Sequence, residues 1–392
     1  MKQRIITLLK NNRALYMIYY YCMSTILRIA GGLVSNNHKE ILFVCYGGRK
    51  YGDNVKPIYE RLIEDERFKE WKFIWAFRNE KTFELPDTER TIKCRVDSLK
   101  FYYYALRSCC WITNVSVQRG LNFKHNDTIY INTWHGVPLK KIGYDIPGNA
   151  AFKAVKPEKF DYFYVEGKYD KAIMPSAYLI PQENAIVTGY PRNDIMFKTD
   201  NDVTKRIFDK YGIEEGKKLI LYAPTYRDYN KDANGDFIFE LKLNSEIFDS
   251  SGLADKYVLM VRAHGAIENN NENKGFIDVT DYPNIEDLLV ASDILISDFS
   301  GVIFDYALLR KPILCFLYDV KTFEEKRGFY VDVESFLPFI KCYTEQELYR
   351  QINELDYDEA CRTSEEFVQK CGLVWNDATG NAVNHIASLL NT

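Results

Sequence analysis

The sequence has no C-x-x-C pair and no Cys/His cluster at metal-ligand spacing, although it carries cysteines at 22, 45, 94, 109, 110, 315, 342, 361 and 371. That pattern speaks against a zinc module or a disulfide framework, and the thiols read as reduced cytosolic side chains. No block of Lys and Arg is long enough to serve as a binding arm, and a net charge of −4 gives no field that would gather nucleic acid, so nucleic acid is not an expected partner. There is no run of about 20 apolar residues to span a bilayer, no small-residue cleavage site after a clean apolar stretch, and no repeat or low-complexity tract. The D-x-D at Asp356-Tyr-Asp358 falls between amphipathic helical stretches and reads as solvated charge. No metal and no cofactor are expected.

What is present points to two cores, because 392 residues exceed what one ordinary core holds. The aromatic fraction of 15% is high, and such an excess suits contact with membrane or carbohydrate. Lys2, Arg4, Lys10 and Arg13 precede an apolar run from Ala14 to Leu27 that Arg28 closes. Basic flanks around Tyr and Leu suit a helix lying in the membrane interface, drawn by anionic lipid; the alternative is an ordinary packed first helix. Residues 1–38 are set apart as this membrane-associated segment, which places the protein peripherally on the cytoplasmic face of the membrane.

From residue 39 on, short β-branched and aromatic runs alternate with helical stretches, the signature of an α/β protein with parallel sheets. Expected strands are Glu40 to Tyr46, Trp71 to Phe77, Thr91 to Val96, Trp111 to Val115, Thr128 to Thr133, Tyr162 to Val165 and Ala185 to Thr188. Helical spacing marks Asn54 to Asp65 and Ser98 to Cys110. A charged stretch from Lys198 to Lys218 then interrupts the pattern, and a second alternation begins at Leu219 and continues through Tyr257 to Val261, Phe276 to Val279, Ile294 to Ser297 and Ile313 to Leu317. Three amphipathic helices, Thr344 to Leu355, Tyr357 to Lys370 and Ala378 to Leu390, close the chain. The economical architecture is two Rossmann-like domains facing a cleft, 39–205 for an acceptor and 206–392 for a nucleotide donor, with ligands at the carboxyl ends of the strands.

Four clusters sit at such ends. The first, NTWHGVPLKKIG from Asn132 to Gly143, places His135 where a strand hands over to a Gly-Pro turn, and an imidazole near its ordinary pKa can take a proton from an alcohol. Trp134, Gly136 and Lys140 flank it. The second, Ala223 to Asp228, offers the Thr225 hydroxyl and the planar Arg227 cation to phosphate oxygens, with Asp228 orienting the arginine. The third pairs Arg262 and His264 on one side of a strand end, where both can meet one anion. The fourth runs from Ile294 through Asp298, Ser300, Gly301 and Asp305 to Pro312 as a βαβ unit. Its helix start at Ser300 and Gly301 suits a phosphate, and Asp305, one turn inside, can accept from ribose hydroxyls. Each taken alone has a plainer reading, a packed His, a surface ion pair or an N-cap; together they describe transfer chemistry on a nucleotide diphosphate.

These pieces, with Gly189-Tyr-Pro-Arg192-Asn-Asp194 and Arg327-Gly-Phe-Tyr330, resemble the CDP-glycerol glycerophosphotransferase family, which includes the primases and polymerases of wall teichoic acid. The resemblance implies a GT-B fold, CDP-glycerol or CDP-ribitol as donor, CMP as leaving group, and a lipid-linked or polymeric saccharide as acceptor at a membrane surface. It implies that His135 acts as base while His264 and Ser300 hold donor phosphates, and it places Arg192 and Asp194 in the cleft. This chain departs from the family pattern at Val137, Tyr226 and Gly301, where Thr, Trp and a second Ser are common. Its length is that of a primase and speaks against processive polymerisation. The rival readings are a GT-B glycosyltransferase or sugar-nucleotide epimerase acting on a UDP-sugar, and a non-catalytic nucleotide binder.

Overall fold

Runs rich in Val, Ile, Phe, Tyr and Trp assemble into two parallel sheets in the computed structural model, which describes residues 12–35, 38–87, 89–147, 157–198, 202–225, 227, 229, 240–263 and 276–392. The first sheet comprises β1 (His38–Val44), β2 (Lys72–Phe77), β3 (Thr91–Arg95), β4 (Ser108–Thr113), β5 (Ile129–Asn132), β6 (Tyr162–Val165) and β7 (Ala185–Val187), ordered β3-β2-β1-β4-β5-β6-β7. The second comprises β8 (Lys218–Tyr222), β9 (Tyr257–Val261), β10 (Ile277–Asp278), β11 (Ile294–Ser297), β12 (Ile313–Phe316) and β13 (Ile340–Cys342), ordered β10-β9-β8-β11-β12-β13. Helices cover both faces, so the strands are apolar almost throughout; Ile41 to Val44 are wholly buried. The strand order reverses between β1 and β4 and again between β8 and β11. Connections leave such a switch point in opposite directions and open a crevice beyond the strands' carboxyl ends.

Helix Val55–Glu64 buries Val55, Ile58, Tyr59 and Leu62, a stripe at helical spacing. Helix Leu99–Arg107 starts at Ser98, whose hydroxyl accepts from the Phe101 amide at 3.1 Å. It ends earlier than its apolar spacing suggests, because Ser108 to Cys110 pair with β1 as part of β4. The charged stretch after Lys198 holds a helix, Asp202–Tyr211, that buries only Val203 and Ile207. So narrow an apolar stripe among charges reads as a linker in the sequence.

The aromatic excess goes in large part into packing. Phe43, Trp75 and Phe77 stack in a row, with ring centroids 5.4 Å apart at 16° and 5.4 Å at 7°, and Tyr59 meets Phe43 and Trp75 edge-on. Each such pair adds about 0.5–1.5 kcal/mol beyond area burial.

The last helix, Ala378–Leu390, returns to the first sheet. Ala382, Val383, Ile386 and Ala387 pack with Ile41, Phe43 and Tyr59, and the Tyr164 hydroxyl lies 3.0 Å from His385 Nδ1. The Asp194 carboxylate accepts from the amides of Ala378 and Thr379 at 2.9 and 2.7 Å. Asp194, expected in the cleft, thus docks the start of this helix, whose own cap is Asp377. Asp356 likewise caps the helix Tyr357–Cys371 by accepting from the Glu359 amide.

The first described helix, Arg13–Gly32, has two apolar faces. Tyr20, Ser24, Leu27 and Gly31 face inward; the Ser24 hydroxyl accepts from the Asn122 amide at 2.9 Å, and the Tyr16 hydroxyl donates to the Gly120 carbonyl at 3.0 Å. On the other side Ile18, Tyr21, Ile26 and Ile29 are each more than half exposed. The inward face is that of an ordinary packed helix, and the outward row is the face an interfacial helix would present. No helix among the described residues is long and apolar enough to cross a membrane; Lys2, Arg4 and Lys10 lie outside the described residues.

Candidate active site

Past β5 the chain makes a turn held by side chains. The Asn132 amide group donates to the Val115 carbonyl, while its Oδ1 accepts from the Trp134 amide at 2.8 Å. Trp134 adopts a left-handed φ of 51°, uncommon for a residue with a side chain, and Gly136 follows at φ 150°. Asn54, wholly buried, donates to the Thr133 and Trp134 carbonyls at 3.0 and 3.2 Å and accepts from the Arg192 amide at 3.2 Å. The turn is over-determined, which lets it hold a strained residue.

His135 is the product of that geometry. Its Nδ1 lies 2.9 Å from the Asn114 carbonyl, which can only accept, so Nδ1 carries the hydrogen and Nε2 is left with its lone pair. Burial pushes the imidazole pKa below its ordinary value, against the opposing pull of Asp53, so the ring is neutral at pH 7. The Trp134 ring lies 4.0 Å away, centroid to centroid. A neutral histidine with one nitrogen fixed and the other open is equipped to act as a general base.

The loop carrying His135 runs directly into the second half. Val137 and Leu139 are buried in the same apolar cluster as Val302, Ile303 and Phe304. The Lys141 amide donates to the Gly328 carbonyl at 3.0 Å, the Tyr330 amide to the Leu139 carbonyl at 2.9 Å, and Lys140 forms a bridge with Phe329. Gly301 touches this loop so closely that a Cβ there would lie 2.7 Å from the Val137 carbonyl oxygen. The loop that carries His135 and the Ser300-Gly301 turn are thus in direct contact.

Several expected ligands of the donor turn out to be supports. Arg227 is buried among Phe299, Phe323 and Tyr318, and its guanidinium is spent on the Thr225 carbonyl, on Asp298 at 2.7 Å and on Asp319 at 2.9 and 2.7 Å. Asp298 also accepts from the Thr225 and Phe299 amides. Both therefore shape the β8 and β11 turns. Asp305, expected near ribose, gives one oxygen to Arg192 at 2.8 Å and the other to Asn193 at 2.9 Å, and is 5% exposed. Arg192 reaches on to Asp53 at 3.4 Å and Glu286 at 3.9 Å, so it bridges the two halves rather than lining an open cleft.

Other residues keep features a ligand would use. Thr225 Oγ1 is buried with no hydrogen-bond partner among the described residues, and the Ser300 hydroxyl accepts weakly from the Val302 amide at 3.3 Å. Arg262 is fixed at the end of β9 by donating to the Val279 and Tyr282 carbonyls. The helix after Gly301 spans only Val302–Ala307, so its dipole is short and the two hydroxyls carry more of the argument. His264, Tyr226 and Asp228 lie outside the described residues. Among the described residues no group of three His, Cys, Asp or Glu is placed to hold a metal ion. Asn54, Asp53 and Asn114 were not singled out from the sequence: Asn54 looks like an ordinary helix start, and nothing local marks the others.

Comparison with known proteins agrees with this geometry. The sequence pattern of the CDP-Glycerol:Poly(glycerophosphate) glycerophosphotransferase family matches residues 28–387. A teichoic acid poly(glycerol phosphate) polymerase of Bacillus spizizenii is 32% identical over 405 residues, covering 98% of this chain and 100% of that protein. Another, from Staphylococcus epidermidis, is 33% identical over 317 residues, or 76% of this chain, and the match spans only 43% of that longer protein. A polymerase thus matches along its whole length, so the length of this chain does not speak against polymerisation. Among solved structures, a variant of the wall teichoic acid polymerase TagF soaked with CDPG superposes with a TM-score of 0.79 at 27% identity, covering 96% of this chain and 97% of the other. The fold is GT-B, and the chain belongs to the CDP-glycerol:poly(glycerophosphate) glycerophosphotransferase family.

Proposed function

We propose that the chain moves glycerol phosphate from CDP-glycerol to an acceptor hydroxyl and releases CMP, with His135 as base. The observation that carries the reading is the His135 tautomer: Nδ1–H is spent on the Asn114 carbonyl, Nε2 keeps its lone pair with no hydrogen-bond partner among the described residues, and the loop that carries the ring touches Gly301 through the Val137 backbone. The acceptor hydroxyl gives its proton to Nε2 as its oxygen bonds the β-phosphorus. The bond from that phosphorus to the bridging oxygen breaks, and CMP leaves with the electron pair. Thr225 Oγ1, the Ser300 hydroxyl and Arg262 meet the developing charge, and His264 is assigned to the same cluster. Trp134, Gly136 and Lys140 belong to the acceptor side. Arg227, Asp298, Asp305 and Arg192 hold these groups in place.

CDP-glycerol is taken as donor because of the family and the CDPG-soaked relative; CDP-ribitol is the donor to test against it. The acceptor is a lipid-linked or polymeric saccharide. The exposed row Ile18, Tyr21, Ile26 and Ile29 supports a peripheral seat on the cytoplasmic face of the membrane, with apolar side chains in the interface. Residues 1–38 form that membrane segment, 39–205 the acceptor unit and 206–392 the donor unit, whose last helix packs on the acceptor unit. The test is incubation with CDP-glycerol, CDP-ribitol or a UDP-sugar and a lipid-linked acceptor. CMP release from CDP-glycerol is expected; UDP release alone contradicts the reading.

A further inference from the structure

The turns after β1, β4 and β5 enclose a cavity of about 520 Å³, within the ~300–1,000 Å³ of small-molecule sites. His135 stands in its wall, beside an aromatic side built by Trp134, Phe160 and Tyr178, whose rings lie 5.0 Å (Trp134 to Tyr178) and 6.2 Å (Phe160 to Tyr178) apart. The rim is cationic. Arg49 and Arg119 line it, and Arg78 adjoins them, its amide donating to the Gly48 carbonyl at 2.7 Å. After burial, the positive charge of Arg49 and Arg119 is what lowers the Arg78 pKa. Among the described residues one carboxylate, Asp97, pairs with this group, at 2.7 Å from Arg119. Three guanidinium charges against one carboxylate leave room for an anion.

The cavity also holds Glu158, which accepts from Ser116, the Gln118 amide and Tyr130, all at Oε1. Among the described residues its other oxygen accepts no hydrogen bond, which leaves it for a hydroxyl. Gly120 lines the same cavity and receives the Tyr16 hydroxyl, so the helix with the exposed apolar row adjoins the mouth.

We propose that this cavity is the acceptor site and that its arginine rim, Arg49 foremost, holds an acceptor phosphodiester, so that a chain end already carrying glycerol phosphate is selected over a neutral saccharide end. The proposal rests on the transferase reading. In such a chain end one glycerol unit separates the free hydroxyl, which would meet His135, from the phosphate, which would meet the arginines lining the same cavity. Arg119 is already tied to Asp97 and to the Gly47 carbonyl, whereas Arg49 is exposed and unencumbered by an ion pair among the described residues.

The test is calorimetric titration of the full chain, without donor, using diglycerol phosphodiester and neutral triglycerol as probes. Wild type is expected to bind the phosphodiester about tenfold more tightly, an advantage that shrinks as salt rises. Arg49→Gln removes most of that advantage, and Arg49→Glu abolishes it, while triglycerol binding is unchanged. Equal binding of both probes by wild type, or an undiminished advantage in both variants, overturns the proposal. CMP release from CDP-glycerol, followed on the same samples, reports on the reaction separately: Arg49-dependent binding without CMP release supports the site and sinks the transferase reading.

Discussion

Gly301 lies against the Val137 backbone with no room for a side chain, a Cβ there falling 2.7 Å from the Val137 carbonyl oxygen and 3.1 Å from its amide nitrogen. This contact joins the donor turn to the loop that carries His135, and it leaves glycine as the residue that fits position 301.

Gly301→Ser and Gly301→Ala should both push that loop away. A displacement near 1 Å costs about 10²-fold in turnover, and overpacking costs about 1–3 kcal/mol of stability. CMP release rates and thermal melts check this. A serine variant as active as wild type would show that the contact does not position the base.

The His135 pKa lies below its ordinary value of 6.5, chiefly through burial. Because the neutral ring is the base, kcat/KM should hold at neutral pH and fall as pH drops through that lowered pKa. Stability follows the same sign: between the two pKa values the unfolded chain binds more protons, so His135 weakens the fold as pH falls below about 6.5. The measurement is kcat/KM against pH; an acid limb centred above 6.5 contradicts the assignment.

Asp305 and Arg192 form a buried pair, 7% and 10% exposed at the side chain, across the two halves. Removing one partner of such a pair costs about 3–5 kcal/mol. Asp305→Ala should therefore lower the melting temperature and leave the KM for CDP-glycerol little changed. A ribose contact would show the opposite, a KM raised about tenfold with stability intact.

The alternation of strands and helices was legible because period and punctuation are local, and so were the strand-end placements of His135, Thr225 and Ser300. What Arg227, Asp298, Asp305 and Asp194 bind was not. Their partners, Asp319, Arg192 and the start of the last helix, lie far along the chain, and a charged residue at a strand end looks the same in sequence whether it meets a ligand or another side chain. Asn54 was missed for the same reason, since its three bonds reach residues 133, 134 and 192. The helix Asp202–Tyr211 was missed for lack of an apolar stripe.

The exposed row on the first helix should carry membrane binding. Replacing Ile18, Ile26 and Ile29 by Gln leaves the inward face intact, and co-sedimentation with vesicles containing anionic lipid should drop while transfer to a short water-soluble acceptor persists. Undiminished sedimentation would remove the row from the membrane seat.

The most direct measurement is CMP release from CDP-glycerol by His135→Gln beside wild type, with donor affinity read by calorimetry on both. Loss of a general base predicts a fall of about 10²–10⁴-fold in turnover at near-normal donor affinity. Turnover at the wild-type rate would contradict the account at its centre.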